Sequence, residues 1–453
     1  MDNIKQYRLN ILSNFRSDSW ITSSRLICGL SASLIIAFLT TLSNGFQLDW
    51  DDTWQVLENP LVSSPSSQDI IYHFTHFWQM QYSPVNSVFY LMITQLFGMQ
   101  AGAFHTACLL VHWCSTVLVF FIVKKLVAAL LPHAGNTKII TYAFFTALIF
   151  AIHPLQVESV AWISASKIIL YGFFALVALY SYIRYIQTSN WLFLIATALA
   201  FLLGFGAKEQ AIILPLNLIL FDYAFSRYSE LGWKKLVTSR VFLEKVPFFL
   251  MALGFWYFSF TNNLGTVNTG GYPFYQRLVF GLYSISEYIF RFLAPVKLYF
   301  FHPFPISPGE ALPIYYYGYI VLAGIIGYFV WVNFRKGNRF VVAGFLFFII
   351  NLLLVLHIIP LPRTVITADR YMYISIIGIA LMLVWQVDQW LSSKNRPILI
   401  VAGSVWFLFL GIHTFLRTAD WKNSETAKAS VYEIIEQKKS KQEGKLYNFI
   451  ENE

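Results

Sequence analysis

The sequence predicts an all-α polytopic membrane protein, on the basis of its composition, its long apolar stretches and the placement of its basic residues. Hydrophobic residues make up 57% of the 453 residues and charged residues only 12%. In an average soluble domain about a quarter of the residues are charged. This composition excludes an ordinary soluble domain, and the net charge of +9 has to be explained by topology or by a ligand.

Eleven stretches are long and apolar enough to cross a bilayer as helices, which takes about 17 to 25 residues. They lie near residues 24–46, 104–124, 138–153, 163–186, 191–207, 210–225, 243–261, 315–334, 340–358, 371–390 and 397–416. The first follows Lys5, Arg8 and Arg16 and has no small-x-small cleavage site after it. We therefore expect a retained anchor and not a cleaved signal peptide.

The basic residues predict the orientation of the bundle. With a cytoplasmic N-terminus, eighteen Lys and Arg residues fall in cytoplasmic loops, as the positive-inside rule requires. Seven remain in outer loops and need another explanation: Lys167, Lys208, Arg277, Arg291, Lys297, Arg363 and Arg370.

Two outer segments are too polar to be spans. Segment 47–103 has five acids and no Lys or Arg, and its stretch 84–97 (PVNSVFYLMITQLF) resembles an interfacial helix. Segment 263–314 contains a helix-like stretch with Arg277, Glu287 and Arg291, for which a juxtamembrane or re-entrant helix fits best. The predicted domains are a membrane domain, 1–416, and a charged outer tail, 417–453, which we expect to form a loosely ordered helix.

The stretch LDWDDTWQVLENP places Asp51 and Asp52 just beyond the outer end of the first span. A carboxylate partly shielded from water has a raised pKa, and a neighbouring carboxylate raises one of the two further. A general base near neutral pH is made in this way. A solvated acidic loop that caps a helix explains the spacing equally well, and paired carboxylates are also typical ligands of Mg²⁺ or Mn²⁺.

Two further outer turns carry ionisable residues close to the membrane surface. His153 and Glu158 follow the third span, and Lys208 and Glu209 lie between the fifth and sixth spans. Ionisable residues at this depth usually have a partner or a task. Structural alternatives stay open, because a His beside a helix-ending Pro is more often structural and Lys208 can form a local ion pair with Glu209.

The late outer loops combine basic residues with aromatic ones. Asp369 and Arg370 open the tenth span, Arg363 precedes them, and the segment VKLYFFHPFP contains Lys297 and His302. Arg suits bidentate contacts with phosphate, so these loops fit the capture of a lipid phosphate. A structural pair of Asp369 with Arg370, or an aromatic belt, is the alternative.

The order of these motifs resembles the GT-C superfamily of glycosyltransferases that use lipid-phosphate sugars. The matching elements are Trp-Asp-Asp at 50–52, an interfacial helix, His-Pro-x-x-x-Glu at 153–158, Lys-Glu at 208–209, the HPFP segment and Ala-Asp-Arg-Tyr at 368–371. The similarity is to the TMTC-like, protein O-mannosyltransferase-like branch and its bacterial relatives, and it covers roughly residues 25–425.

The resemblance implies roles for individual residues. Asp51 would be the catalytic base, with Asp52 as its partner and Glu158 as a further catalytic candidate. Lys208, Arg291 and Arg370 would bind the donor phosphate, with Lys297 and Arg363 as additional candidates. The surrounding active site would include His153, Glu209, His302 and Asp369.

Three features depart from the family pattern. Tyr82-Ser83-Pro84 stands where many relatives have Tyr-Arg-Pro, and Ser166-Lys167-Ile168 stands where a basic and acidic pair usually precedes the fourth span. No tetratricopeptide repeats follow the last span. Acceptor selection by such repeats therefore cannot be carried over to this chain.

The expected function is the inverting transfer of a sugar from a polyprenyl-phosphate donor to an acceptor hydroxyl. The first expected acceptor is a secreted or surface protein such as a pilin, the second a lipid or glycan, and no nucleic acid is involved. We expect a bacterial inner (plasma) membrane protein whose active site and C-terminus face the periplasm. The main rival is a flippase or transporter of lipid-linked sugars, although the charges gather at the outer surface and not near the bilayer midplane.

Overall fold

The structure, a computed structural model, describes most of the chain. The described residues are 18–48, 50–63, 66–79, 81–228, 238–263, 271–296, 298–300, 302–359, 365–391, 396–429 and 432. Two of the candidate phosphate ligands, Lys297 and Arg363, lie outside these residues.

Within the described residues, thirteen α-helices have eleven or more residues. In chain order they are α1 (Asp18–Phe38), α2 (Pro84–Phe97), α3 (Ala101–Leu130), α4 (Asn136–Ile152), α5 (Ser166–Thr188), α6 (Leu192–Ala207), α7 (Leu214–Ala224), α8 (Val246–Asn263), α9 (Phe274–Leu293), α10 (Gly318–Arg335), α11 (Arg339–Leu352), α12 (Met372–Leu391) and α13 (Arg396–Arg417). Shorter helical segments lie between them. Two short strands, β1 (His302–Pro303) and β2 (Val365–Thr367), pair in antiparallel fashion and bring the segment after α9 to the start of α12.

Among the described residues, seven helical segments are long and apolar enough to cross a membrane, or eight if α4 and the bent Pro154–Ala161 segment form one span. α6 and α11 are shorter apolar helices. The chain is therefore an all-α integral membrane protein, as predicted. Helix is present in each of the eleven predicted spans. The count of eleven stays a prediction, because α7 has only 11 residues and a crossing takes about 20.

Helices α3, α4, α5 and α12 form the centre of the bundle. α3 packs on α4 and α5, and α12 packs on α4 and α11. Of the most apolar part of the Ile163–Thr188 segment, 72% is buried, against 0% for Ile314–Arg335. α10 therefore lies on the outside of the bundle, where its exposed Ile325 and Phe329 fit a lipid environment.

Polar side chains inside the bundle are paired between helices. The side-chain amides of Asn217 on α7 and Asn351 on α11 exchange two hydrogen bonds of 3.1 and 3.2 Å. His112 on α3 lies 3.0 Å from the Tyr373 hydroxyl and 3.1 Å from the Ala151 carbonyl. A buried polar group in an apolar medium needs a partner, so these contacts help fix how the helices align.

Helices α2 and α9 lie across one end of the bundle. Near the start of α9, Arg277 donates to the Ile358 carbonyl at 2.9 Å, and near its end Arg291 lies 3.6 Å from Asp369 Oδ1. Both contacted segments lie between α11 and α12, so both ends of α9 are on the same side of the bundle. On α2, Tyr90 bonds the Ile163 carbonyl at 2.9 Å while Leu96 is exposed. This arrangement is the one expected of helices that lie along a membrane surface.

The close contact of α11 and α12 depends on two glycines. A Cβ atom added to Gly378 would lie 2.8 Å from the Phe348 nitrogen, and one added to Gly344 would lie 2.9 Å from the Gly378 oxygen. We expect Gly378→Ala to lower the free energy of unfolding by about 1 to 3 kcal/mol, because overpacking forces the backbones apart. The measurement is the thermal unfolding midpoint of the purified protein in detergent.

Gly324→Ala on the outer helix α10 is the matched control, since a Cβ atom there meets nothing within 4 Å. Equal midpoints for Gly378→Ala and the wild type would contradict the close contact of α11 and α12.

Candidate active site

The loop after α1 places Trp50, Asp51 and Asp52 at one end of the bundle. The chain leaves helical conformation at Asn44, whose backbone is extended, and a helical turn begins at Asp51 and continues as Thr53–Leu57. Consecutive residues of a helical turn point about 100° apart. The two carboxylates therefore have different surroundings.

Asp52 is buried and bound to distant parts of the chain. Its Oδ2 accepts a hydrogen bond from the Gln47 nitrogen at 2.8 Å, and its Oδ1 accepts from the Ser164 nitrogen at 2.9 Å and from the Ser164 hydroxyl. Burial raises the pKa of Asp52 to about 6, although these three donors oppose the rise. Asp52 has no exposed surface, so it holds the loop in place and does not contact a substrate.

Asp51 is the accessible carboxylate of the pair. It is half-buried, and its two oxygens accept hydrogen bonds of 3.2 Å from Trp54 Nε1 and Gln55 Nε2. A carboxylate offers about four acceptor positions. These two bonds orient Asp51 and leave it able to accept a proton from a bound molecule.

Two basic side chains, Lys167 and Arg370, lie within electrostatic range of this carboxylate, and a third, Lys208, lies within range of Lys167. Lys167 interacts with Lys208, Asp51, Glu209 and Arg370, and Arg370 interacts with Asp51 as well. Lys167 lies at the start of α5 and donates to Gln81 Oε1 at 2.7 Å. The fold thus gathers one accessible acid and three cations from separate parts of the chain.

Lys208 and Glu209 form a local ion pair, which was the structural alternative to a functional role for these two residues. Lys208 Nζ lies 3.6 Å from Glu209 Oε1, and 48% of the Glu209 side chain is exposed. This separation is too long for a hydrogen bond, and exposed pairs contribute little to stability. The pair therefore does not prevent the ammonium group from contacting an anion.

Glu158 and Arg370 form a pair in which the acid is completely buried. Glu158 accepts a hydrogen bond from the Arg370 backbone nitrogen at 2.9 Å and another from its guanidinium. The guanidinium also lies 5.8 Å from the centre of the Trp162 ring, and 21% of the Arg370 side chain is exposed. Glu158 has no exposed surface, so its geometry fits the positioning of Arg370 and not direct catalysis.

Asp369 holds two further arginines in a buried charge network. Its Oδ2 accepts from Arg417 Nη2 at 2.7 Å, and its Oδ1 lies 3.6 Å from Arg291 Nη1. Arg291 also lies 3.3 Å from Glu287 Oε2 and 3.5 Å from His302 Nδ1. Arg291 was a candidate phosphate ligand, but it is buried and its charge is shared by two acids.

His153 has a structural role, which was the alternative to a role in the active site. Its Nδ1 accepts from the Leu155 nitrogen at 3.1 Å and its Nε2 donates to the Phe292 carbonyl at 3.0 Å. The ring stacks on Phe292 with a centroid distance of 5.3 Å. With both ring nitrogens bonded and no exposed surface, His153 positions the end of α9.

An aromatic cluster of Trp50, Trp162, Trp421 and Phe300 lies beside the charged residues. Trp162 and Trp421 stack with a centroid distance of 5.2 Å, and Trp50 meets Phe300 edge-on at 4.7 Å. The cluster joins the first outer loop to the segments that follow α9 and α13.

Residues 417–427 of the predicted tail belong to this end of the bundle. Arg417 donates to the Pro154 carbonyl at 2.6 Å, and Gln47 Nε2 donates to the Trp421 carbonyl at 2.9 Å. The Gly45 nitrogen donates to the Lys422 carbonyl, also at 2.9 Å. Over these residues the tail is a wall of the candidate site and not a loosely ordered helix.

The sequence interpretation missed the roles of Lys167, Ser164, Arg417 and Trp421. Lys167 carried a signal, since it was one of the seven unexplained outer cations and lay where the family pattern departs. The other three act through contacts with residues far away in the chain, which no local pattern indicates.

The described residues contain no group of three or more His, Cys, Asp and Glu side chains that could hold a metal ion. Both oxygens of Asp52 are engaged by protein donors. The described residues therefore do not fit a divalent ion shared by Asp51 and Asp52, and we derive no step through a metal.

No protein-family model matches the chain, and no curated protein is significantly similar to it. Membership of the GT-C superfamily therefore stays a prediction from the motifs, and the chemistry of the site has to be inferred from its geometry.

Asp52 makes the stability of the fold depend on pH. Its pKa is about 6 in the folded protein, against 3.8 as the ordinary value, so the folded state binds the proton more tightly. The resulting stabilisation of the folded state is complete below the pKa that Asp52 has in the unfolded chain, and it is lost as the pH rises through about 6. A shift of two pKa units corresponds to at most about 3 kcal/mol in the free energy of unfolding. We expect the thermal unfolding midpoint of the wild type, measured relative to that of Asp52→Asn at the same pH, to be higher near pH 5 than near pH 8.

Asp69→Asn is the control, because Asp69 is a partly exposed acid between α1 and α2 and its loss leaves the effect of Asp52 in place. A difference between the wild-type and Asp52→Asn midpoints that is the same at pH 5 and at pH 8 would contradict the raised pKa of Asp52.

Proposed function

We propose that the chain is a membrane glycosyltransferase of the GT-C type that moves a sugar from a polyprenyl-phosphate donor to an acceptor hydroxyl. The observation that carries the proposal is one accessible carboxylate, Asp51, within electrostatic range of Lys167 and Arg370 at one end of a membrane bundle. The acid suits the acceptor proton, and the cations suit the donor phosphate.

In the proposed reaction Asp51 takes the proton of the acceptor hydroxyl as the hydroxyl oxygen bonds to the anomeric carbon. The bond from that carbon to the phosphate oxygen breaks, and its electron pair leaves with the polyprenyl phosphate. The carboxylate loses one negative charge and the phosphate gains one, so atoms and charge balance. A single displacement of this kind inverts the configuration at the anomeric carbon.

Lys167, Lys208 and Arg370 stabilise the charge that develops on the departing phosphate. Such groups are effective when they are fixed before the reaction. Gln81 holds Lys167 at 2.7 Å, and Glu158 holds the backbone of Arg370 at 2.9 Å. Arg291, with its charge shared by acids, acts at longer range in this scheme.

An apolar groove supports a donor with a long lipid tail. The groove has a volume of about 220 Å³, lies between α9, α10, α11 and α12, and is lined by residues such as Phe292, Leu293, Phe329 and Met382. Phe292 and Leu293 follow Arg291 directly, so the groove starts next to the charged network. We propose that the polyprenyl chain lies there while its phosphate faces Lys167 and Lys208.

The proposed topology has eleven crossings, a cytoplasmic N-terminus and a site that faces the periplasm of a bacterial inner membrane. The placement of the basic residues supports this topology. The ends of α1, α4 and α13 also lie together: Asn44 after α1 donates to the Thr418 carbonyl at 2.9 Å, and Thr414 on α13 donates to the Ile152 carbonyl at 2.6 Å. The proposed acceptor is the hydroxyl of a secreted or surface protein.

Asp51→Asn is expected to lower sugar transfer by about 10²- to 10⁴-fold, because an amide cannot take the acceptor proton. Transfer from membrane extracts containing polyprenyl-phosphate sugars to endogenous acceptors is measured at matched expression, together with donor binding. Binding is expected to change little. Asp69→Asn, at a partly exposed acid between α1 and α2, is the matched control and is expected to keep full transfer.

Unchanged transfer by Asp51→Asn would remove the proposed role of Asp51. Translocation of the lipid-linked sugar by the wild type, without transfer to any acceptor, would instead support the flippase.

Lys208→Met is expected to lower kcat by about 10²- to 10³-fold, because the leaving phosphate loses a fixed positive charge. The Michaelis constant for the donor is expected to change less than kcat, since the charge develops mainly in the transition state. Lys422→Met is the control, because Lys422 is an exposed cation at the same end of the bundle. A large rise in the Michaelis constant with unchanged kcat would show that Lys208 serves binding alone.

A further inference from the structure

A second group of cations lies at the opposite end of the bundle from the candidate active site. α3 begins beside Leu42 and α5 begins beside Asn86, both at the active-site end. Lys124 and Lys125 lie near the far end of α3, and Arg184 lies near the far end of α5. This group is therefore separate from the residues of the proposed reaction.

Lys125 and Arg184 converge on one face of α5. Tyr180, Arg184 and Gln187 are spaced four and three residues apart, so they share a face of the helix. Lys125 Nζ donates to Gln187 Oε1 at 2.9 Å and lies 5.8 Å from the centre of the Tyr180 ring. The ammonium group of α3 thus lies over the same face that carries the guanidinium of α5.

The cations repel one another at this place. Lys125 is repelled by the positive charges of both Arg184 and Lys124. Lys124 is buried, and its Nζ lies 3.3 Å from the Ser23 hydroxyl. Like charges brought together in a medium of low dielectric destabilise each other. Arg184 Nε is buried and makes no hydrogen bond to any described residue. A bound anion would both relieve the repulsion and satisfy this donor.

The surroundings favour a lipid as the source of the anion. The guanidinium of Arg184 lies 5.3 Å from the centre of the Phe193 ring at the start of α6. On α6 the side chains of Trp191, Leu192, Ile195 and Leu199 are exposed. An exposed Trp marks the level of the membrane interface, and the apolar face below it suits an acyl chain.

We propose that Lys125 and Arg184, with Lys124 beside them, bind the phosphate of an anionic phospholipid whose acyl chain lies along α6. Basic pockets between transmembrane helices are suited to such headgroups. The phosphate accepts hydrogen bonds from both side chains, and Tyr180 and Gln187 keep the Lys125 ammonium in position.

The test compares the full chain in nanodiscs of phosphatidylglycerol with the chain in nanodiscs of phosphatidylcholine. We expect a higher thermal unfolding midpoint in phosphatidylglycerol, and phosphatidylglycerol retained by the protein in native mass spectrometry. Because each cation near the headgroups is worth about fivefold in affinity, Lys125→Gln with Arg184→Gln is expected to bind phosphatidylglycerol about 30-fold more weakly. The charge-conserving pair Lys125→Arg with Arg184→Lys is expected to retain binding.

Arg335→Gln with Lys336→Gln is the matched control, because these exposed cations lie at the end of α10, and it is expected to bind as the wild type does. If the double glutamine variant does not fold, the single variants are compared, each with an expected loss of about fivefold. Unchanged phosphatidylglycerol binding by the glutamine variants would overturn the proposal. Full stabilisation by inorganic phosphate in phosphatidylcholine nanodiscs would also overturn it, because the anion would then be free phosphate.

Discussion

The candidate active site depends on the pairing of three carboxylates that have no exposed surface, Asp52, Glu158 and Asp369. A buried charge is tolerated only when it is paired or hydrogen-bonded. Each of these acids meets that requirement with donors from another part of the chain: Ser164, Arg370 and Arg417. These three contacts join the loop after α1, the segment between α4 and α5, the start of α12 and the end of α13. Loss of one partner would leave an uncompensated charge, so the contacts hold the same end of the bundle in one arrangement.

This pairing divides the ionisable residues into those that build the site and those that face it. Asp52, Glu158, Asp369 and His153 have no exposed surface and act through other residues. Asp51, Lys208 and Arg370 keep partial exposure. The proposed transfer between a lipid phosphate and a hydroxyl requires an acid and cations of this kind, held in place by buried partners. The apolar groove beside α9 gives the lipid part of such a donor a place to lie.

The helices were predictable from the sequence because each is encoded locally. An apolar run of sufficient length forms a helix in a membrane whatever its neighbours are, and helix is present in all eleven predicted stretches. α2 and α9 were also recognisable, since polar residues such as Asn86 and Glu287 interrupt their apolar runs. The number of crossings was not fixed in this way, because α7 is too short to settle it by length.

The site was predictable only in part. The motifs predicted that Asp51, Lys208 and Arg370 belong to one site, and the fold does bring them within electrostatic range of Lys167. The family resemblance singled out Asp51 as the base, but the residue spacing alone did not distinguish Asp51 from Asp52, because the difference in their burial depends on Ser164, 112 residues away. The sequence also did not indicate that Trp421 closes the site, since the stacking of Trp421 on Trp162 joins residues far apart in the chain. Contacts between residues so far apart in the sequence are set by the packing of the whole bundle and leave no local sequence pattern.

The most direct measurement is a cryo-electron microscopy structure of the chain in a nanodisc with a polyprenyl-phosphonate sugar that cannot be cleaved. We expect the phosphonate oxygens about 3 Å from the Lys167 and Lys208 ammonium groups, the anomeric carbon facing Asp51 and the polyprenyl chain in the groove beside α9. A sugar headgroup bound away from Asp51, with the lysines free of the phosphonate, would contradict it.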